Sequence, residues 1–145
     1  MFRTDTGWVV SPTDLVDTLE CDHRTALKSA LAAHVPGAPH PEPVDDLIAQ
    51  HGLAHEKAEL DRLREVFGTI TTIAEPEPDD HDLARAARET AQAMHDGVPV
   101  IYQGAFHHRL TDRIAFHGRA DFLIRSDLDP TTGDARQDHT GAYTY

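Results

Sequence analysis

The sequence predicts one α/β or α+β domain over residues 1–145, with a small mixed β-sheet flanked by helices. Three observations lead there. Residues 53–67 and 81–95 carry apolar side chains at helical spacing, the repeat of an amphipathic helix. Residues 114–125 alternate instead, with Phe116, Gly118, Ala120, Phe122 and Ile124 set against His117, Arg119, Asp121, Leu123 and Arg125, the period of a strand. Between these stretches lie proline, glycine and aspartate clusters that punctuate rather than continue them.

The 145 residues are enough for one ordinary domain with its own core. With 25 acidic residues against 13 lysines and arginines, the formal net charge is −12. This argues against a protein that coats nucleic acid through a broad basic face. It leaves room for an enzyme that meets nucleic acid through a local arginine and metal ions. Only Lys28 and Lys57 are lysines. The single cysteine, Cys21, cannot form an intrachain disulfide or a multi-thiolate metal site. Residues 1–7 lack the apolar region of a signal peptide, and no apolar run approaches membrane-spanning length, so a cytoplasmic protein that meets no membrane is expected.

In chain order, Trp8-Val9-Val10 reads as a short strand. Ser11-Pro12-Thr13-Asp14 then has the chemistry of a helix start: a capping hydroxyl, a proline at the first position and an acid in the first turn. Leu15, Leu19, Ala26 and Ala30 predict one helix running to about Ala33, with Cys21 inside it. Residues 34–43 are a connector, with four prolines and a glycine in Pro36–Pro43. Helical signals resume at Val44, Leu47 and Ile48, and Gly52 is a candidate break.

Leu53, Leu60, Leu63 and Phe67 share a helical face, and Glu56 falls on that face where an apolar residue is expected. Such a carboxylate needs a partner: an arginine, a hydrogen-bond donor or a metal. Gly68 ends this helix, and residues 69–73 are β-branched and strand-like. Pro76, Pro78, Asp79 and Asp80 form a turn and cap before a helix over His81–His95, with Leu83, Ala87, Ala91 and Met94 on one side and Gly97 just past its end. Val98–Phe106 is a strand, His107–Arg113 a hairpin connection and Ile114–Arg125 a second strand. Residues 127–140 form a polar loop, and Gly141–Tyr145 reads as the opening of another strand, so a domain continuing past the last residue is expected.

The aspartate in the middle of the 114–125 strand has two readings. It faces water on an edge strand, or the strand presents it as a metal ligand. A helix bearing His55 and Glu56 and a strand bearing Asp121 could converge on one divalent ion, as metal-dependent phosphodiester cleavage requires. His51 and His55, at i and i+4, are an alternative zinc pair, but they lack the intervening glutamate of a metalloprotease helix. The remaining reading is a binding or assembly module without chemistry. Phosphate-cradling glycine loops, nucleophile elbows and paired thiols do not occur.

Ser11-Pro12-Thr13-Asp14-Leu15 with Cys21, Gly52-Leu53-Ala54-His55-Glu56, Tyr102-Gln103-Gly104-Ala105-Phe106 and Gly118-Arg119-Ala120-Asp121-Phe122-Leu123 together resemble the N-terminal part of RecB-like nucleases of the PD-(D/E)XK superfamily. The resemblance implies a restriction-endonuclease-like core and a Mg²⁺- or Mn²⁺-dependent nuclease, with DNA favoured over RNA. It implies that His55 and Asp121 are metal ligands, whereas the helical period singles out Glu56. Arg119 is a candidate phosphate contact, with a surface salt bridge as the equal alternative; an ordinary strand polar residue is the expectation for Gln103. In the family a third motif, Asp/Glu-x-Lys, supplies a further ligand and the lysine that activates water. Here the residues two before Lys28 and Lys57 are Ala26 and His55, so that motif is absent. Some relatives bind an iron–sulfur cluster through a cysteine near the position of Cys21 plus three more, which this chain alone does not provide. Relatives also continue into an RNase-H-like or helicase domain, an implied downstream partner. A non-catalytic nucleic-acid-binding or protein-interaction module is the alternative.

Overall fold

A computed structural model describes residues 1–38, 47–136 and 143–144. It is a mixed α/β structure, as expected. The elements run β1 (Phe2–Thr4), β2 (Gly7–Val10), α1 (Pro12–Glu20), α2 (Asp22–Ala32), α3 (Leu47–Phe67), β3 (Thr71–Thr72), α4 (Asp80–His95), β4 (Val100–Thr111), β5 (Ile114–Arg125) and β6 (Tyr143–Thr144). The strands are hydrogen-bonded in the order β1-β2-β5-β4-β3, with β6 also on β5. β2 runs parallel to β5 and β3 parallel to β4, while β1 is antiparallel to β2 and β6 to β5. Strand β5 lies inside this order, with β2 on Ile114–Phe116 and β6 on Ile124–Arg125; Asp121, between those stretches, is exposed, as its water-facing reading expects. None of the described helices is long and apolar enough to cross a membrane.

The chain divides into two compact units. The first gathers the described parts of Met1–Pro43, Pro76–Arg85 and Phe106–Gly118; the second gathers those of Val44–Glu75, Ala86–Ala105 and Arg119–Tyr145. In the first unit, Val9, Leu83 and Ala115 form a small core with Phe2 against it. Helix α1 starts on a complete capping box. The Ser11 side chain accepts from the Asp14 backbone, and the Asp14 carboxylate accepts from the Ser11 backbone N–H at 2.9 Å.

The single helix expected over 12–33 is in fact two. Cys21 is extended (φ −159°, ψ 103°), closing α1 and opening α2. The ion pairs explain the break. Lys28 and Arg24 of α2 reach Asp17 of α1, and Lys28 also reaches Asp14 at 3.5 Å. In one straight helix, Asp14 and Lys28 would stand about 21 Å apart along the axis and could not meet. The expected apolar stripe is reversed as well. Asp14 (2% exposed) and Asp17 (6%) are buried, while Leu15 (50%) and Leu19 (88%) face out, and Ala26 is exposed.

In the second unit the core is Ile73, Ala86, Ala93, Ile101, Ala105, Ala120 and Leu123, with Met94 and Val98 packed on it. Thr90 ties α4 to β4: its hydroxyl donates to the Ala86 carbonyl and accepts from the Ala105 N–H at 2.9 Å. The buried side of α4 is thus Leu83, Ala86, Thr90 and Ala93; Ala91, expected inside, is exposed. Helix α3 passes through Gly52 without a break and ends at Gly68, whose φ of +74° suits the residue after a helix. Leu60 and Leu63 are buried, but Leu53 is exposed.

Strand β4 runs to Thr111, so the expected hairpin connection over 107–113 shrinks to Asp112-Arg113. The stretch read as loop is polar because this end of the strand is mostly solvated, with residues 108–111 all exposed. Strand β1 was not expected. The connector residues 39–43, the helical signals at Val44, Leu47 and Ile48 as side chains, loop residues 137–140, and Gly141, Ala142 and Tyr145 lie outside the described residues or side chains.

Candidate metal cleft

One face of α3 carries Gly52, His55, Glu56 and Glu59, spaced i, i+3, i+4 and i+7 as a helix requires for neighbours. With Asp121 and Phe122 of β5 these residues line a cleft of about 560 Å³ in the second unit. Alternation along β5 slips here. Ala120 and Leu123 are in the core, and the two residues between them both line the cleft. Next to this point on β4, Gln103 has φ +58°, a left-handed conformation that is uncommon for any residue but glycine, asparagine or aspartate.

The Gln103 side chain links the two carboxylates. Its Nε2 donates to Glu56 Oε1 and lies 3.3 Å from Asp121 Oδ1. The Tyr102 hydroxyl donates to the same Glu56 oxygen at 2.9 Å. Burial and this bond to Glu56 both push the Tyr102 hydroxyl above its ordinary pKa, so it remains a proton donor at neutral pH. Its ring lies 5.4 Å from that of Phe122. Glu56 is half-buried, and His55 and Asp121 are exposed. The donors that hold Glu56 are thus neutral.

Glu59 differs. It forms a two-pronged pair with Arg62, at 2.6 and 2.8 Å, and those hydrogen bonds hold its carboxyl below the usual range against the opposing effect of burial. The Arg62 charge is already committed to it, and Arg62 also donates to the Pro130 carbonyl at 2.8 Å.

The structure therefore brings His55, Glu56 and Asp121 to one cleft. Arg119 is not among the lining residues; its guanidinium pairs with Glu75 at 3.4 Å, and its Nε is buried without a hydrogen-bond partner. Cys21 is an exposed free thiol in the first unit. His51 is exposed on α3 and does not line the cleft. Sequence reasoning did not single out Tyr102, Glu59 or Phe122. Glu59 was within reach, because it stands three residues after Glu56 on the same helical face. Gln103, set down as an ordinary strand residue, is the link between the carboxylates.

Two carboxylates and an imidazole line the cleft; carboxylates are the oxygen ligands Mg²⁺ and Mn²⁺ prefer, whereas imidazole is a ligand more typical of zinc, copper, iron or nickel. Among the described residues, no three or more histidine, cysteine, aspartate or glutamate side chains are grouped closely enough to hold a metal ion. In the described arrangement it is the Gln103 amide that lies between Glu56 and Asp121. No family model, curated protein or solved structure matches the chain.

Proposed function

We propose that the chain carries the metal-binding part of a RecB-like, PD-(D/E)XK-type nuclease site, acting on nucleic acid, with DNA favoured over RNA. Asp121 and His55 are assigned as ligands of Mg²⁺ or Mn²⁺, and Glu56 as a ligand or as the group that orients them. One observation carries the reading. Glu56 and Asp121 share a cleft with His55 and converge on a single neutral donor, so their negative charge is not cancelled where they meet. A divalent cation at that point would gain from both carboxylates. When bound, such an ion polarises the phosphodiester and lowers the pKa of attacking water.

The chain's own residues would bind and orient the ion, and Phe122 would provide an apolar wall beside it. The water-activating lysine of the resembled family does not occur, so the 145-residue chain by itself is expected to bind the ion and not to cleave. Mn²⁺ binding followed by water-proton relaxation tests the first part. Asp121→Ala is expected to weaken binding by about tenfold or more; equal affinity in the variant and the native chain removes the assignment. Mn²⁺-dependent DNA cleavage by the purified chain, lost in Asp121→Ala, would overturn the expectation of inactivity.

A non-catalytic nucleic-acid-binding or protein-interaction module is the second reading, favoured by the missing Asp/Glu-x-Lys. It predicts that neither partner binding nor stability responds to Mn²⁺.

A further inference from the structure

His107 of β4 is a titratable group that the cleft does not use. It belongs to the first unit, and its ring nitrogen Nδ1 is buried with no hydrogen-bond partner. Two residues further on, along the same side of the strand, Arg109 reaches a hub. The hub is the Asp80 carboxylate at the start of α4. Its Oδ2 accepts from the Thr6 hydroxyl of the β1–β2 turn at 2.9 Å, and its Oδ1 stands 3.3 Å from the Arg109 guanidinium, which also donates to Thr6 Oγ1. Burial works to raise the Asp80 pKa, but hydrogen bonds from Thr4 and Thr6 and the Arg109 charge outweigh it, so the hub is ionised at neutral pH. One carboxylate thus joins the β1–β2 turn, the start of α4 and the end of β4.

A proton on His107 sets it against this joint. An imidazolium donates from both ring nitrogens, and a buried charged donor without an acceptor is costly. Burial holds the His107 pKa below its ordinary value; the Asp80 charge works the other way, and Arg109 and His108 add to the effect of burial. The acid that faces the ring is therefore Asp80 of α4, and the facing charges of its own strand are both basic. The β1–β2 hairpin brings to the hub the neutral hydroxyls of Thr4 and Thr6. We propose that His107 makes the joint acid-sensitive: once protonated, its ring competes with Arg109 and Thr6 for Asp80, and the β1–β2 turn comes away from the start of α4. Above about pH 6.5 the ring is neutral and the joint complete; as pH falls through the lower folded-state value, the stability it contributes is lost. None of these residues lines the cleft, so a chain without a metal site would keep the response.

An NMR titration of the full chain from about pH 8 to about pH 4.5, following the histidine rings and the side chains of the joint, tests this. The His107 ring is expected to titrate below the ordinary histidine value. The nuclear Overhauser contacts of Thr6 with Asp80 and Arg109 are expected to fade with that same midpoint. In His107→Gln, which keeps a polar side chain that does not titrate, the contacts are expected to persist through the acid range. Asp80→Asn keeps an acceptor for Thr6 and removes the charge that favours the protonated ring, so the His107 midpoint is expected to move further down. A native His107 midpoint at or above the ordinary value, or contacts that persist when the ring is protonated, overturns the proposal without any variant. The same loss of contacts in His107→Gln, or an unchanged midpoint in Asp80→Asn, overturns it as well.

Discussion

Two clusters of acids in this molecule are built in opposite ways. In the first unit, Asp14 and Asp17 are buried and matched by cations: Lys28 pairs with both, Arg24 with Asp17 at 2.9 Å, and the Met1 ammonium with Asp14 at 2.5 Å. In the second, Glu56 and Asp121 are held by a phenol and an amide, which carry no net charge. A carboxylate matched by a cation is structural: it fixes two helices and has nothing left to offer a ligand. Carboxylates gathered by neutral donors are not matched by a cation where they meet, and holding two of them together costs electrostatic free energy. The difference separates an acidic cleft from an acidic brace, and composition alone, at net charge −12, does not.

The largest effect should come from breaking the brace. Asp14→Ala removes the reciprocal cap of α1 and leaves Lys28 and the Met1 ammonium short of a partner, so stability is expected to fall by about 3 kcal/mol in urea denaturation at pH 7. Glu56→Gln should cost under about 1 kcal/mol, because the new amide oxygen still accepts from Tyr102 and Gln103. Equal losses in the two variants would erase the contrast.

Acid should distinguish the clusters next. Burial works to raise the Asp14 pKa, but hydrogen bonds from the Met1 ammonium and from Ser11 outweigh it and hold the carboxyl at about 2. A folded pKa below the unfolded value means stability that is complete above about pH 4 and is lost as pH falls through 2, of the order of 2 kcal/mol. Asp14→Asn should flatten that limb of the pH–stability curve. A limb unchanged in the variant would show that other groups produce it. The smallest effect belongs to Arg119. Its partner Glu75 is exposed, so Arg119→Ala is expected to change stability by no more than about 0.5 kcal/mol. Mn²⁺ affinity should hold, and a large drop would bring this arginine into the site.

The clusters also mark where the sequence could be read and where it could not. Strand β5 was legible at both ends, Ile114 and Arg125, because alternation is a local property. The end of α3 was legible at Gly68 for the same reason. The break at Cys21 was not, since its cause is pairing between residues up to fourteen positions apart, and the capping signals at Ser11 do not say how far a helix runs. The inverted face of α1 follows from the same ion pairs, which draw Asp14 and Asp17 inward against the apolar period. In the cleft, His55, Glu56 and Asp121 could be named from spacing and resemblance. Gln103 could not be placed, because a left-handed backbone at a glutamine is imposed by packing around Gly104 and is written in no single residue type.

The most direct measurement is a Mn²⁺ titration of the isotopically labelled chain, read by paramagnetic broadening of its amide resonances. The account predicts that broadening begins at His55, Glu56, Gln103 and Asp121 and leaves the amides of Asp14 and Asp17 sharp. Broadening that begins at the brace, or that spreads evenly over the acidic surface, would contradict it.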